Sequence, residues 1–288
     1  MCVRLPSNRF VPHRLPIPDS NPRITRAMKS SPGGQTLADM LVRCEEGKPF
    51  VYENNGKLYL HFDIGTTQSC MNPDAPDSLI LDYTKAMMTA LLFNPAPERI
   101  MMIGLGGGSM VKYCYRHLPD ARIDVAEISS EVIALRDTFA IPRDDARLSI
   151  ACCDGAEFVS SAAPGVDLLF IDGFDLGGQA PTLCTQAFYD GCYNILSDQG
   201  VLVVNLSGIE IKRSAYVARI RKSFDDAVVI MRAAGCSNRI AFAMKGDALR
   251  LTERQLLYRA RDLEMAHPLD FQSLARSFAD AKRGTSNH

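Results

Sequence analysis

The sequence contains no tryptophan and only five histidines among its 288 residues. These histidines never form an H-x-H or H-E-x-x-H pattern, so the sequence does not favour a metal site of the zinc type. No apolar run reaches the ~18–20 residues that a membrane-spanning helix needs. No G-x-S-x-G motif marks a hydrolase nucleophile. We therefore expect neither a zinc enzyme, nor a membrane protein, nor a serine hydrolase of that type.

Neither sign of charge is in excess, since 32 Lys and Arg stand against 33 Asp and Glu. A dedicated nucleic-acid-binding protein usually shows a strong basic excess, so we expect no nucleic-acid partner. The total of −1 conceals an asymmetry: residues 1–31 carry a net charge of +5, whereas residues 32–245 carry −7. An acidic body of this kind would attract a cationic ligand.

The nine cysteines are scattered, and none forms a C-x-x-C pair. A chain of this length needs no disulfide framework to fold, and scattered thiols are typical of a reducing compartment. The N-terminal segment has no apolar core of the kind that a secretory signal contains. We therefore expect a cytoplasmic protein.

The first 97 residues divide into two parts. Residues 1–35 hold six of the sixteen prolines and end in Ser-Ser-Pro-Gly-Gly, which predicts a poorly structured basic arm. Residues 36–97 contain two predicted strands around Asn55-Gly56, a pair that suits the type I′ turn of a β-hairpin. A loop is predicted from there to Asp77, which would cap a helix running to about residue 93.

Residues 98–245 alternate short buried strands with helices and end in two strands that we expect to pair as an antiparallel hairpin. This alternation predicts an α/β fold with a doubly wound sheet. The antiparallel pair favours the Rossmann-like sheet of S-adenosylmethionine-dependent methyltransferases over a dinucleotide-binding sheet. One helix of this part is predicted to reach about residue 139. Residues 246–288 are predicted to form a helical segment with a polar tail.

A glycine-rich turn lies between the first strand and helix of this part and contains Gly104, Gly106, Gly107 and Gly108. Glycines let the backbone approach a ligand closely, and a helix N-terminus offers free N–H groups. Glu127 ends the next predicted strand, where its carboxylate can accept two hydrogen bonds from a ribose diol. Together, these features predict a site for an adenosine-containing cofactor.

Asp154 and Gly155 follow the third predicted strand of the same part. A carboxylate at this place can accept a hydrogen bond from the amino group of adenine. This favours an S-adenosyl compound over a nicotinamide dinucleotide. Asp154 can equally be the N-cap of the helix that follows it, and the two roles are compatible.

Residues 172–189 read D-G-F-D-L-G-G-Q-A-P-T-L-C-T-Q-A-F-Y. This segment resembles, without a gap, the D-S-S-D-P-x-G-P-A-x-x-L-F-x-x-x-F-Y segment of the spermidine synthase (aminopropyltransferase) family. Residues 126–129 resemble the V-E-I-D of that family, and residues 153–155 resemble its G-D-G. Upstream, residues 65–68 resemble the G-x-x-Q that follows its N-terminal hairpin, and Tyr83 matches the Tyr of its Y-H-E helix.

The resemblance implies transfer of an aminopropyl group from decarboxylated S-adenosylmethionine to a small cationic amine, as in polyamine biosynthesis. It implies that Asp172 is the general base and that Tyr83 and Asp175 bind substrate. An unperturbed Asp is a weak base for this task, with a pKa of ~3.9 against ~10 for an amine. The resemblance also implies a homodimer. The implied donor-binding residues are Gln68, Gly104, Gly106, Gly107, Gly108, Glu127, Ile128, Asp154 and Gly155.

The chain departs from the family at several positions, including Ser109 for the last glycine of the turn and Leu176 for the proline after the second Asp, and two departures bear on the donor and the acceptor. The glycine turn of the family reads G-G-G-D-G-G, and its Asp, replaced here by Gly107, contacts the aminopropyl amine of the donor. That acid would repel the carboxylate of ordinary S-adenosylmethionine, so its loss weakens the preference for the decarboxylated donor. The Tyr-His-Glu of the family is Tyr83-Thr84-Lys85 here, and Lys85 would repel a polyamine if it faced the pocket. Two alternatives therefore stay open: a methyltransferase on the same scaffold, and a non-catalytic member that binds a nucleoside.

Overall fold

The computed structural model of the chain describes residues 48–63, 67–175, 178–207 and 210–285. The predicted basic arm lies outside the described residues. Within them, none of the helices combines the length and the apolar character needed to cross a membrane.

A small antiparallel sheet of three strands precedes the main fold, in the order β1 (Phe50–Asn54), β2 (Lys57–His61) and β3 (Thr67–Met71). The predicted hairpin is confirmed, since Asn55 and Gly56 form its turn with φ angles of 50° and 70°. The prediction of a loop up to Asp77 was wrong for β3. The sequence of this strand, T-Q-S-C-M, carries no alternating apolar pattern, and its buried residues are the consecutive Ser69, Cys70 and Met71.

The main sheet has seven strands in the order β11-β12-β10-β7-β4-β5-β6. All neighbours run parallel except β12, which is antiparallel to both β10 and β11. The predicted α/β sheet with a terminal antiparallel pair is therefore confirmed. Its strands are β4 (Arg99–Ile103), β5 (Arg122–Glu127), β6 (Leu148–Cys152), β7 (Val166–Ile171), β10 (Leu196–Leu206), β11 (Val228–Arg232) and β12 (Arg239–Met244). A two-stranded hairpin, β8 (Phe174–Asp175) and β9 (Gly178–Gln179), follows β7.

Helices join most of these strands. Two predicted bounds were wrong: the first helix begins at Asp82 rather than after Asp77, and the helix predicted to reach residue 139 ends at Ala134. Leu81, and not Asp77, is the N-cap of the first helix, and the Asp77 carboxylate lies 3.2 Å from Nε2 of His117. The helices of the described residues are α1 (Asp82–Met87), α2 (Ser109–His117), α3 (Ser130–Ala134), α4 (Gly155–Ser161), α5 (Gln186–Ile195), α6 (Glu210–Ser223), α7 (Glu253–Ala266) and α8 (Phe271–Thr285), and a 3₁₀ helix (Met88–Leu92) continues α1.

Helices cover both faces of the main sheet, and side chains alternate between the two faces along each strand. Ile100 and Met102 of β4 pack with α1, α2, α7 and α8, whereas Met101 and Ile103 pack with α4, α5 and α6. The helix α2 that follows β4 lies on the first face, and the helix α5 that follows β7 lies on the second. The carboxyl ends of the neighbouring strands β4 and β7 therefore open into a crevice, the place where doubly wound sheets bind ligands.

His267, directly after α7, should make the stability of the fold depend on pH. Its Nδ1 lies 2.9 Å from the Tyr113 hydroxyl on α2, and burial together with the nearby His117 lowers its pKa to about 4. Between pH ~6.5, the ordinary His pKa, and pH ~4, the unfolded chain binds a proton that the folded chain does not. Stability should therefore fall as the pH falls through this window.

We expect H267Q to show a shallower loss of unfolding free energy between pH 7 and pH 4.5 than the wild type, because the variant lacks the titrating ring. Urea unfolding followed by circular dichroism at several pH values measures both slopes. Equal slopes in the two proteins would show that His267 does not carry this dependence.

Candidate active site

The crevice at the carboxyl ends of the central strands collects most of the residues that the sequence singled out. The glycine turn follows β4, Glu127 ends β5, Asp154 follows β6, and Asp172 follows β7. Tyr83 reaches the same place from α1, where its hydroxyl donates to a carboxylate oxygen of Asp172. The structure thus brings together residues that are up to 89 positions apart in the chain.

Gly104 directly follows β4 and comes very close to the main chain of Asp172, which directly follows β7. Its φ angle is +96°, and a Cβ atom placed on it would lie 2.3 Å from the carbonyl oxygen of Asp172. Its N–H donates to the Ala126 carbonyl at 2.8 Å, and the N–H of Asp172 donates to the Ile103 carbonyl at 2.8 Å. Only glycine fits here, because any side chain would push Asp172 away from the turn.

The residues around Gly107 also leave no room for a side chain at this position. A Cβ atom at this position would lie 2.7 Å from Oγ of Ser69 and 2.9 Å from a ring carbon of Phe139. The Ser69 side chain is buried and its Oγ lies 3.3 Å from Oγ of Ser109, the first residue of α2. An acid at position 107 would therefore require β3 or Phe139 to move. The sequence showed that the acid was absent, and the packing of β3 gives the steric reason.

Glu127 is buried and ties the glycine turn to the end of β5. Its Oε2 accepts the N–H of Leu105 at 2.8 Å, and its Oε1 accepts the N–H of Ser129 at 2.9 Å. Each carboxylate oxygen can accept a second hydrogen bond, so the side chain keeps acceptor capacity toward a ligand. The next residue, Ile128, is 71% exposed, which leaves a large apolar side chain uncovered beside this carboxylate.

Asp154 is the N-cap of α4. Its Oδ1 accepts the N–H groups of Ala156 at 2.7 Å and Glu157 at 3.2 Å, and its Oδ2 lies 3.3 Å from the Thr182 hydroxyl. A Cβ atom on Gly155 would lie 2.3 Å from Cγ2 of Ile103, so the start of α4 packs directly on β4. The capping role, one of the two roles weighed for Asp154, is thus present in the structure.

Asp172 is the acid at the centre of the crevice. Its Oδ2 accepts a hydrogen bond from the Tyr83 hydroxyl at 3.1 Å, and its Oδ1 accepts one from Nδ2 of Asn205 at 2.8 Å. Burial raises the pKa of this carboxyl, and the two hydrogen bonds only partly oppose that effect. Burial, and to a lesser extent the Asp172 charge, holds the pKa of Tyr83 well above its usual range, so the phenol stays protonated and donates.

Sequence reasoning missed Asn205 and Asn238. Asn205 lies near the end of β10, is only 3% exposed, and accepts a hydrogen bond at 2.9 Å from Nδ2 of Asn238, which lies in the turn before β12. A signal for Asn205 was present, because a lone amide ends the apolar run V-L-V-V of a central strand. Nothing in the sequence pointed to Asn238.

The remaining predicted residues are Gly65, Gln68, Lys85 and Asp175. Gly65 and the side chain of Asp175 lie outside the described residues. Gln68 contributes its backbone carbonyl, 3.4 Å from the Tyr83 hydroxyl. Lys85 forms an ion pair with Asp82 at 2.8 Å, and its side chain is 39% exposed.

Two further observations complete the description of the site. Gln179, at the position of a proline in the resembled segment, is buried, and neither of its amide atoms has a partner in the described part of the chain. Across the same residues, no cluster of His, Cys, Asp and Glu could hold a metal ion.

The chain is similar to proteins of known family and structure. Residues 81–236 match the family described as the spermine/spermidine synthase domain. A polyamine aminopropyltransferase of Neisseria meningitidis (serogroup A) is 32% identical over 231 residues, which cover 80% of this chain and 88% of the relative. A crystal structure of human methyltransferase-like protein 13 in complex with SAH is 25% identical with a TM-score of 0.60, over 65% of this chain and 92% of that one.

A third comparison bears on the fold alone. A spermidine synthase crystallised with the transition state analogue AdoDATO is 21% identical with a TM-score of 0.65, over 83% of this chain and 85% of that one. The fold predicted from the strand and helix pattern is thus shared with solved structures of both enzyme types.

The contact between Gly104 and Asp172 predicts the effect of G104A. The added methyl group meets the Asp172 carbonyl and the backbone keeps an unfavourable positive φ, so we expect a loss of about 2–5 kcal/mol in unfolding free energy. G284A is the matched control, because Gly284 lies in α8 with open space where a Cβ would be, and it should be neutral or stabilising by up to ~1 kcal/mol. Urea denaturation of both variants measures the difference. Equal stability of the two variants would contradict the steric argument.

Proposed function

The chain belongs to the spermine/spermidine synthase family, and we propose that it transfers an aminopropyl group from decarboxylated S-adenosylmethionine to a small amine, with Asp172 as the general base. The observation that carries this proposal is the position of Asp172, a partly buried carboxyl at the centre of the crevice, where Tyr83 and Asn205 each donate a hydrogen bond to one of its oxygens. The 32% identity to a polyamine aminopropyltransferase over most of both chains supports the reaction class.

The residues of the crevice fit a nucleoside donor. Gly104 and Gly155 let the glycine turn and the start of α4 pack closely against the strand ends beside Asp172 and Ile103. Glu127 retains acceptor capacity for a ribose diol. The exposed Ile128 offers an apolar surface that a nucleoside base would cover. With Gln68, Gly106, Gly107, Gly108 and Asp154, these residues form the proposed donor site. When bound, the sulfonium donor supplies an electrophilic methylene carbon and leaves as methylthioadenosine.

Asp172 would bind the ammonium group of the acceptor and then take its proton, which frees the nitrogen lone pair for attack. Its raised pKa narrows the gap to the amine and so makes it a stronger base than an exposed Asp. Tyr83 and Asn205 fix the direction of the carboxylate, and a fixed base spares the cost of orientation during the reaction. Asp175 would contribute a second negative charge for the amine.

A second function, methyl transfer from S-adenosylmethionine, is favoured by one observation. The surroundings of Gly107 leave no room for an acid, so this turn carries no negative charge to repel the carboxylate of the ordinary donor. The similarity to a human methyltransferase that was solved in complex with SAH supports the same reading. Both functions place the same demand on Asp172, because both need a deprotonated nucleophile.

We also propose, from the family relationship, a homodimer that works in the cytoplasm on a cationic amine and binds no nucleic acid. The seven cysteines within the described residues are all free thiols, which supports the cytoplasmic part of this proposal. The net charge of −7 over residues 32–245 would attract a polyamine, and salt should weaken that attraction.

Product analysis tests the choice between the two reactions. We expect the purified protein, given decarboxylated S-adenosylmethionine with putrescine or spermidine, to release methylthioadenosine and an aminopropylated amine, both detected by mass spectrometry. Release of S-adenosylhomocysteine from ordinary S-adenosylmethionine would favour methyl transfer instead. Absence of every product with either donor would refute both functions and leave nucleoside binding, which calorimetry with methylthioadenosine measures.

Replacement of the base gives a second test. We expect D172N to lose about 10²–10⁴-fold in kcat, the usual contribution of a general base, while its donor affinity stays close to that of the wild type. D262N is the matched control, since Asp262 is exposed on α7, and it should keep its activity within about twofold. A D172N enzyme as active as D262N would remove Asp172 from the mechanism.

A further inference from the structure

We infer that Asn238 and Asn205 are positioning residues for the base: Asn238 orients the amide of Asn205 so that an N–H group, and not the carbonyl, faces Asp172. This inference rests on the proposed role of Asp172. The geometry is a chain of hydrogen bonds, from Nδ2 of Asn238 to Oδ1 of Asn205 at 2.9 Å and from Nδ2 of Asn205 to Oδ1 of Asp172 at 2.8 Å. Neither asparagine was recognised from the sequence.

An asparagine amide has a donor end and an acceptor end of almost equal size, and its hydrogen-bond partners decide which end faces where. Asn205 is 3% exposed, so bulk water cannot satisfy it in the opposite orientation. In the observed orientation, its donor stabilises the ionised form of Asp172. In the flipped orientation its carbonyl would face the carboxylate, an arrangement that favours the protonated acid. Asn238 therefore acts on the protonation of Asp172 through Asn205.

The position of Asn238 is itself fixed. The backbone carbonyl of Asn238 accepts the N–H of Ala233 at 3.1 Å, and this hydrogen bond closes the turn between β11 and β12. Gly235, in the same turn, comes so close to α1 that a Cβ atom on it would lie 2.5 Å from a carboxylate oxygen of Asp82. The turn thus packs against the helix that also carries Tyr83, and the antiparallel strand pair at the sheet edge holds one end of the hydrogen-bond chain.

The other partner of the base cannot substitute for Asn205. Tyr83 contacts the opposite oxygen, Oδ2, and donates its hydroxyl hydrogen to it because the phenol stays protonated. Cys236, in the turn before β12, is a further titratable group near Tyr83, and it raises the Tyr83 pKa less than burial and Asp172 do. The hydrogen bond to Oδ1 of Asp172 therefore depends on the orientation of the Asn205 amide.

The first test is the pH profile of kcat/KM. In N238A the amide of Asn205 loses its orienting partner, so Asp172 should bind a proton more readily. Because the base must be ionised, activity at the acidic end should fall by about tenfold relative to the wild type, the effect expected for one hydrogen bond to a charged group. On the alkaline plateau it should stay within about threefold. N194A is the matched control, since Asn194 is exposed on α5, and its profile should not move.

The isosteric variant N238D controls for the possibility that N238A lowers activity only because it folds poorly. Its carboxylate would attract the NH₂ group of Asn205 and so turn the amide, and its charge would also disfavour ionisation of Asp172. We therefore expect a larger shift of the acidic limb than in N238A, in the same direction. A purely structural role would lower kcat at all pH values alike. Unchanged limbs in both variants would overturn the inference, even if D172N is inactive and the proposed function holds.

A measurement that needs no enzymatic turnover distinguishes failure of this inference from failure of the proposed function. NMR of protein labelled with ¹³C at the aspartate carboxyl carbons, with the Asp172 signal assigned by its loss in D172N, follows protonation of this group directly. We expect the Asp172 titration midpoint to lie at higher pH in N238A than in the wild type and N194A. Coinciding midpoints would overturn the inference. A clear shift in a protein that yields no product would support it while the proposed function fails.

Discussion

The close approach of Gly104 to the main chain of Asp172 is the contact on which the site depends. Where β4 ends, the chain must turn toward α2, and where β7 ends it must turn toward the other face of the sheet. The two turns pass each other at a distance that leaves no room for a Cβ atom. This contact places a carboxyl beside the glycine turn, and it follows from strand order before any ligand is considered.

Bringing a carboxyl to this place has an energetic cost that the surrounding residues offset. Burial disfavours the ionised form of Asp172, and this raises its pKa. Tyr83 and Asn205 supply one donor to each oxygen, which keeps the carboxylate stable enough to be ionised without removing the effect of burial. A free Asp would be a weaker base, and an unpartnered buried Asp would remain protonated. The proposed base lies between these extremes because its two hydrogen bonds oppose only part of the effect of burial.

The sequence predicted those parts of the site that depend on neighbouring residues in the chain. A glycine turn between strand and helix, an acid at a strand end and an acid before a helix are all local patterns, and Gly104, Glu127 and Asp154 lie where these patterns indicate. The parts that were missed are contacts between distant segments. Asn205 lies 33 residues from both Asp172 and Asn238.

The N-terminal errors have the same origin. β3 has no apolar alternation, because one of its buried positions is Ser69, whose hydroxyl lies beside that of Ser109 across 40 residues. Asp77 was expected to begin a helix, yet its partner is His117 on α2. In each case a polar side chain has a tertiary partner that no local pattern reveals, and propensity was overridden by that partner.

The two proposed reactions separate the site into a part they share and a part in which they differ. Any amine acceptor must lose a proton, so in the proposed mechanism Asp172, Tyr83 and the two asparagines would serve both reactions equally. The donors differ only by a carboxylate on their tail, and charge at the glycine turn is what can discriminate between them. Here the contact of Gly107 with Ser69 and Phe139 fixes that position as uncharged. Selection of the donor must therefore come from groups other than position 107, and the second acid of the 172–189 segment, Asp175, is the nearest in sequence to the base.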